Sequence, residues 1–194
     1  MEIIIHRVNS IKKLKKIPKY FGVEIDIRSF GSKLILNHDP HKSGDNLENF
    51  LKQYNHGTLI LNIKEDGIEN EVLMKVKKAK IKSFFLLDVE FPYIFKCLKK
   101  RQRNIAIRFS ENETIETAKL MVKKFKWLWI DTLTKLPITK KNIKIINKYK
   151  SCLVCPERWG RAHQIDIYKK KLKNLKFKPS AVMTSYKYAH KWLD

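Results

Sequence analysis

The fold expected for this chain is best seen in residues 23–28, Val23-Glu24-Ile25-Asp26-Ile27-Arg28. Its aliphatic residues alternate with polar ones, which is typical of a β-strand. Runs of similar length recur along the chain, and the segments between them have helical periodicity. These runs are residues 3–7, 23–28, 58–64, 83–90, 104–109, 127–132, 151–155 and 181–185. Eight strands alternating with helices predict a parallel sheet closed into a (β/α)8 TIM barrel.

A short additional strand at 34–38 is expected to pair with 23–28 through the turn Phe30-Gly31-Ser32. The chain has 194 residues, of which 43% are hydrophobic. That length predicts one compact domain, 1–194, with short loops, because TIM barrels usually have about 250 residues. Helix starts are predicted from capping residues and proline at Asp45, Pro92, Asn112 and Thr139.

Composition restricts the location and the partners. No apolar run approaches the roughly 20 residues that a membrane span needs, and the N-terminus lacks a secretory pattern, so we expect a cytoplasmic protein. The net charge of +23 suggests a nucleic-acid or other anionic partner. The cations are 35 lysines and only seven arginines, however, and lysines spread over helical segments are typical of solvated helix faces. Cys152 and Cys155 lie in an apolar run and are expected to be buried thiols rather than metal ligands.

Charged and imidazole side chains follow the apolar runs. His6-Arg7 close the first run, and His38-Asp39 close the additional strand. Because functional residues of parallel barrels lie at the carboxyl ends of the strands, we expect these side chains at one rim. Histidine is the side chain best suited to proton transfer near neutral pH.

The pair Glu24 and Asp26 is two residues apart on one strand, so both carboxylates are expected on one face. Two buried carboxylates side by side need a cation, and oxygen ligands of this type suit Mg²⁺ or Ca²⁺. The alternative is a pair of solvent-facing acids on an edge strand. These residues together favour a metal-dependent hydrolytic site.

The order His6-Arg7, Glu24-x-Asp26 and Gly31-Ser32-Lys33-Leu34 leading to His38-Asp39 resembles the N-terminal motif of the glycerophosphodiester phosphodiesterases. That family is related to the phosphatidylinositol-specific phospholipase C barrels. Leu61-Asn62-Ile63-Lys64 is similar to the third-strand motif of the family. Later segments, which include Arg108-Phe109-Ser110-Glu111 and the stretch from Cys155 to Arg161, resemble a small bacterial branch.

The resemblance implies a hydrolase for a small phosphodiester of glycerol or a similar polyol or sugar, possessing one metal site. His6 and His38 would be the general acid and base, Arg7 and Lys64 would bind the phosphate, and Glu24 and Asp26 would hold Mg²⁺ or Ca²⁺. In the family, a neighbouring hydroxyl of the substrate can attack first and give a cyclic phosphate.

The chain departs from the family pattern at two places. Asn62 stands where the third strand has an acidic ligand, and it is a candidate metal ligand through its amide oxygen, which brings no charge. No glycine or Glu-Asn-Thr stretch follows His6-Arg7. Glu157 is a candidate for the missing carboxylate, as are Asp88 and Glu90, and Arg108 is a further candidate site residue. The leading hypothesis is a phosphodiesterase, because a mere binder has no need of two histidines for proton transfer. The alternatives are a degenerate barrel that binds a phosphorylated ligand without hydrolysing it and a basic nucleic-acid-binding protein, against which the lack of arginine and aromatic clusters weighs. The oligomeric state stays open.

Overall fold

The computed structural model of the chain describes residues 1–193. Within them the strands are β1 Glu2–Ile5, β2 Gly22–Phe30, β3 Lys33–Leu36, β4 Asp45–Asn46, β5 Leu59–Ile63, β6 Phe84–Leu87, β7 Ala106–Phe109, β8 Trp127–Ile130, β9 Lys150–Val154 and β10 Ala181–Thr184. The α-helices are α1 Ile11–Leu14, α2 Leu47–Gln53, α3 Glu69–Lys78, α4 Phe91–Lys100, α5 Ile115–Met121, α6 Ile143–Ile146 and α7 Ile165–Asn174. Short 3₁₀ segments cover Pro156–Trp159, Ala162–Gln164 and Tyr186–Trp192.

Each of the eight predicted strand runs contains a strand, and the additional run forms β3. The fold is α/β with mostly parallel strand pairing. The chain divides into two compact units, one of residues Ile4–Lys96 and one of Met1–Ile3 together with the chain from Cys97 onward. The prediction of one domain over 1–194 stays a prediction.

β2 organises the N-terminal unit. One of its edges receives β1, with Ile5 beside Val23 in parallel, and the other receives β5 in parallel along residues 23–27. Beyond β1, the antiparallel β3 pairs with the end of β2, as the predicted turn requires. β6 extends the sheet from β5 in parallel. The core consists of fully buried aliphatic residues such as Ile25, Leu61 and Leu86.

The second unit contains four consecutive parallel strands. β7 pairs with β8, β8 with β9 and β9 with β10. Their residues are almost all buried, as is usual for parallel strands, which are generally covered on both faces. Cys152 and Cys155 are buried free thiols, as expected from their apolar surroundings.

Of the four predicted helix starts, those at Asp45, Asn112 and Thr139 are wrong by one to three residues. The fourth, Pro92, lies in the first turn of α4. Asn46 rather than Asp45 caps α2, because the Asp45 carboxylate accepts a hydrogen bond from the amide of Ile11 at 2.6 Å. α5 begins after Thr114 rather than Asn112, because the Ser110 hydroxyl first forms a turn with the amides of Asn112 and Glu113.

The start predicted at Thr139 is displaced in the same way. Thr139 donates its amide to the side chain of Asn142 at 2.9 Å, and α6 begins after Asn142. Among residues 1–193, no helix has the length and apolarity needed to cross a membrane.

Candidate active site

The candidate residues of the N-terminal unit converge at the carboxyl ends of its parallel strands. His6 and Arg7 directly follow β1, Glu24 and Asp26 lie within β2, and Asn62 is the fourth residue of β5. Lys64 directly follows β5, and Asp88 directly follows β6. Since these strands run in parallel, their carboxyl ends lie on one side of the sheet, which is where α/β folds place their sites.

Glu24 and Asp26 are both buried, with 0% and 1% exposure, so the alternative of a solvent-facing pair is wrong. The Glu24 carboxylate accepts hydrogen bonds from the Arg7 amide at 2.7 Å and from the Asn62 side chain at 3.0 Å. The Asp26 carboxylate accepts one from the Asn9 side chain at 2.8 Å. Each carboxylate is therefore held in a defined orientation.

Burial, and after it repulsion from the Asp26 carboxylate, raises the pKa of Glu24 to about 7. The hydrogen bonds from Arg7 and Asn62 and the charge of Lys64 act in the opposite direction. A pair of adjacent buried carboxylates resists full ionisation unless a further cation approaches.

Two oxygens at this site lack a hydrogen-bond partner although they are buried: Oδ1 of Asp26 and Oδ1 of Asn62. The two residues are direct neighbours in the β2–β5 register. Carboxylate and amide oxygens are ligands of Mg²⁺ and Ca²⁺, and buried oxygens without partners are costly. Oδ1 of Asp26 and Oδ1 of Asn62 are therefore candidate ligands for a divalent cation, with the Glu24 carboxylate beside them. The described residues contain no group of three or more His, Cys, Asp or Glu side chains suited to a metal, so such a site would depend on the amide of Asn62.

Two cations flank the carboxylates. The Arg7 Nε lies 3.7 Å from Asp26 Oδ2, and the Lys64 Nζ lies 3.7 Å from Asp26 Oδ1 and 3.0 Å from Asp88 Oδ2. The Arg7 side chain is 43% exposed and that of Lys64 17%. Arg7 and Asp88 both have positive φ, 52° and 54°, a conformation that is uncommon for such residues and is found at turns and functional sites.

The histidines differ in their surroundings. His6 is mostly buried, and its Nε2 lies 3.9 Å from Glu24 Oε2. His38 is 42% exposed, and its Nδ1 lies 3.0 Å from Asp39 Oδ1. A proton on Nδ1, directed at Asp39, leaves Nε2 as the nitrogen that can accept or donate a proton. Lys42 first, and then His38, lower the pKa of Asp39 to about 2, so Asp39 is ionised beside the ring.

Glu157 and Arg108 belong to the second unit, where each has partners of its own. Oε1 of Glu157 accepts hydrogen bonds from the amide of Ser185 at 2.7 Å and the hydroxyl of Thr184 at 3.2 Å. Arg108 donates to Glu113 at 2.6 Å and to Asp131 at 3.1 Å. The proposal of Glu157 as a further metal ligand stays a prediction.

Sequence reasoning missed two residues that organise the site. Asn9 forms two hydrogen bonds with Asp26, one to the carboxylate and one from the Asp26 amide, both 2.8 Å. Ser10 caps α1 by accepting from Lys13, so Asn9-Ser10 end the loop that carries His6-Arg7. Arg28 donates to the carbonyls of His38 and Lys64. Arg28 could have been predicted as a site residue because it lies two residues after Asp26 and so projects from the same face of the strand.

Comparisons with known proteins define the fold of the chain. No family model matches the sequence, and no curated protein matches it. Among solved structures, a crystal structure from Agrobacterium tumefaciens str. C58, named provisionally as a glycerophosphoryl diester phosphodiesterase, is similar with a TM-score of 0.67. The alignment covers 99% of this chain and 96% of the other chain at 10% identity. At that identity the likeness shows a common fold, extending over nearly the full length of both chains.

Proposed function

We propose that the protein is a metal-dependent phosphodiesterase that hydrolyses a glycerophosphodiester or a similar polyol or sugar phosphodiester. The observation that carries the proposal is the convergence of His6, Arg7, Lys64 and a buried carboxylate pair at the carboxyl ends of β1, β2 and β5. The shared fold of a structure named as a phosphodiesterase supports it. We further propose that the strands close into a (β/α)8 barrel, as the eight strand runs predict.

The cations would bind the phosphate. A phosphodiester carries one negative charge, which increases on its oxygens as the nucleophile attacks, so fixed cations stabilise the transition state. Arg7 is exposed enough to contact a ligand, and its guanidinium offers paired donors to phosphate oxygens. Lys64, held between Asp26 and Asp88, contributes a second charge with restricted motion.

Glu24, Asp26 and Asn62 would hold the divalent cation, whose charge would polarise a phosphate oxygen. The proposal rests on two buried oxygens that accept no hydrogen bond, Oδ1 of Asp26 and Oδ1 of Asn62. Calorimetric titration with Mg²⁺, Ca²⁺ and Mn²⁺ tests the assignment. Glu24→Gln is expected to weaken binding, and equal affinity in the parent and the variant would remove Glu24 from the site.

His6 and His38 would transfer the protons. One histidine removes a proton from the attacking hydroxyl, and the other donates a proton to the departing alkoxide. Asp39 would orient His38 and stabilise its protonated form, since the two side chains are 3.0 Å apart.

A screen of phosphodiesters with and without chelator, applied to His6→Ala and His38→Ala, tests the function. Each substitution is expected to reduce turnover by about 10²–10⁴-fold, with a smaller effect on substrate binding. A nitrophenyl ester, whose leaving group needs little protonation, is expected to restore turnover only in the variant that lacks the acid. His163→Ala is the matched control because His163 is exposed and lies in the second unit.

Two results would contradict the proposal. Parental turnover in the His6→Ala, His38→Ala double variant would show that neither histidine acts in the reaction. Binding of phosphorylated ligands without hydrolysis under every metal condition would favour the binding-barrel hypothesis, for which Asn62 in place of an acidic ligand is the supporting observation.

A further inference from the structure

Arg28 connects the two segments that carry His38 and Lys64. Its Nε donates to the carbonyl oxygen of His38 at 3.0 Å, and its Nη1 donates to the carbonyl oxygen of Lys64 at 2.8 Å. The two carbonyls belong to different segments, one that leaves β3 and one that leaves β5. A single planar guanidinium therefore fixes the distance between both backbones.

The position of Arg28 on β2 makes this connection firm. Glu24, Asp26 and Arg28 alternate along β2 and so project from the same face. The β2 backbone also holds both segments, because the amide of Asn37 donates to the backbone carbonyl of Asp26 and the amide of Lys64 to that of Ile27, both at 3.1 Å. The Arg28 side chain thus adds one hydrogen bond to each of the two segments, which are already hydrogen-bonded to the β2 backbone.

We propose that Arg28 is a positioning residue that sets the His38 imidazole and the Lys64 ammonium at the spacing needed to act on one phosphodiester. This inference rests on the proposed function. Arg28 acts through the two backbones, since its Nε and Nη1 are directed at carbonyls. Lysine cannot replace it, because one ammonium lacks the rigid fork that reaches two acceptors in different directions.

Kinetics of Arg28→Ala and Arg28→Lys provide the first test. A displacement of about 1 Å in a catalytic group can reduce the rate by about 10²-fold, so we expect a loss of kcat of that order with little change in KM. Guanidinium ion at millimolar concentration is expected to restore part of the kcat of Arg28→Ala, whereas Arg28→Lys, which keeps the charge, is expected to stay impaired. Arg101→Ala, which removes an exposed guanidinium, is the matched control.

NMR spectroscopy provides a second test, which does not depend on enzymatic activity. The imidazole resonances of His38 and the ammonium resonance of Lys64 in NMR spectra of the full chain are expected to shift or broaden in Arg28→Ala and Arg28→Lys and to recover with guanidinium in Arg28→Ala. Unchanged resonances, or an unchanged kcat in an active parent, would overturn the proposal. If the resonances change but the parent hydrolyses no phosphodiester, Arg28 does position the two residues and the proposed function fails instead.

Discussion

Removal of the Asn9 side chain is expected to lower the free energy of unfolding more than a typical surface substitution does. Asn9 donates to Asp26 Oδ2 and accepts from the Asp26 amide, both at 2.8 Å. Asp26 is 1% exposed, so water cannot readily replace either bond. In Asn9→Ala the carboxylate would keep Arg7, 3.7 Å away, and Lys64, also 3.7 Å away.

The magnitude follows from these two bonds. A hydrogen bond to a charged group contributes about 1.5–3 kcal/mol, and a buried amide without a partner costs about 1–3 kcal/mol. Because Arg7 and Lys64 remain beside the carboxylate, the lower part of these ranges applies, and we expect the free energy of unfolding to fall by about 3 kcal/mol. For a chain of this size that corresponds to a fall in Tm of about 6–12 °C.

Urea unfolding followed by circular dichroism measures the free energy, and hydrogen exchange measures the protection of the Asp26 amide. Asn112→Ala is the matched control, because Asn112 is exposed and its expected change is within about 0.5 kcal/mol. If the unfolding free energy of Asn9→Ala lies within about 0.5 kcal/mol of that of the parent and the Asp26 amide keeps its protection, Asn9 does not hold Asp26 in place.

Three further predictions concern packing, the loop after β3 and alkaline pH. Leu61→Ala, at a fully buried position of β5, is expected to cost about 2–5 kcal/mol in urea unfolding, whereas Leu120→Ala, 70% exposed, changes little. Gly44→Ala would place a Cβ 2.2 Å from the backbone oxygen of Leu36, so the loop that carries His38 must shift; we expect a lower Tm and changed His38 resonances. Tyr149 is buried and donates to the Ala118 carbonyl, and burial raises the pKa of its hydroxyl. The stabilisation that the neutral hydroxyl gives the folded state is therefore complete below the unfolded pKa of about 10 and is lost as the pH rises above that value. The difference in unfolding free energy between parent and Tyr149→Phe is therefore expected to narrow from pH 8 to pH 11.

The positions of the strands and of the polar residues at their ends could be predicted because they depend on local patterns. The alternation along 23–28 and the apolar run before His6 specify strands whichever partners they find. Parallel pairing then brings Glu24, Asp26, Asn62 and Lys64 together, because consecutive strands of an α/β fold become neighbours.

Helix starts were less predictable, because several side chains compete for the same amides. Asp45 is a good capping residue in isolation, yet its carboxylate binds the amide of Ile11, 34 residues away. Asn46 caps the helix in its place. This competition depends on a contact between distant parts of the chain, so it cannot be predicted from the helix-capping preferences of neighbouring residues.

Local residue patterns were enough to predict the strands, the α/β class and which residues follow the strands. The hydrogen-bond partners of those residues depend on the folded chain: Asn9 donates to Asp26, Asn62 to Glu24, and Arg28 to the carbonyls of His38 and Lys64. The physical reason is that periodicity specifies which face a side chain occupies, whereas a hydrogen bond depends on strand register and loop path to within a few tenths of an ångström.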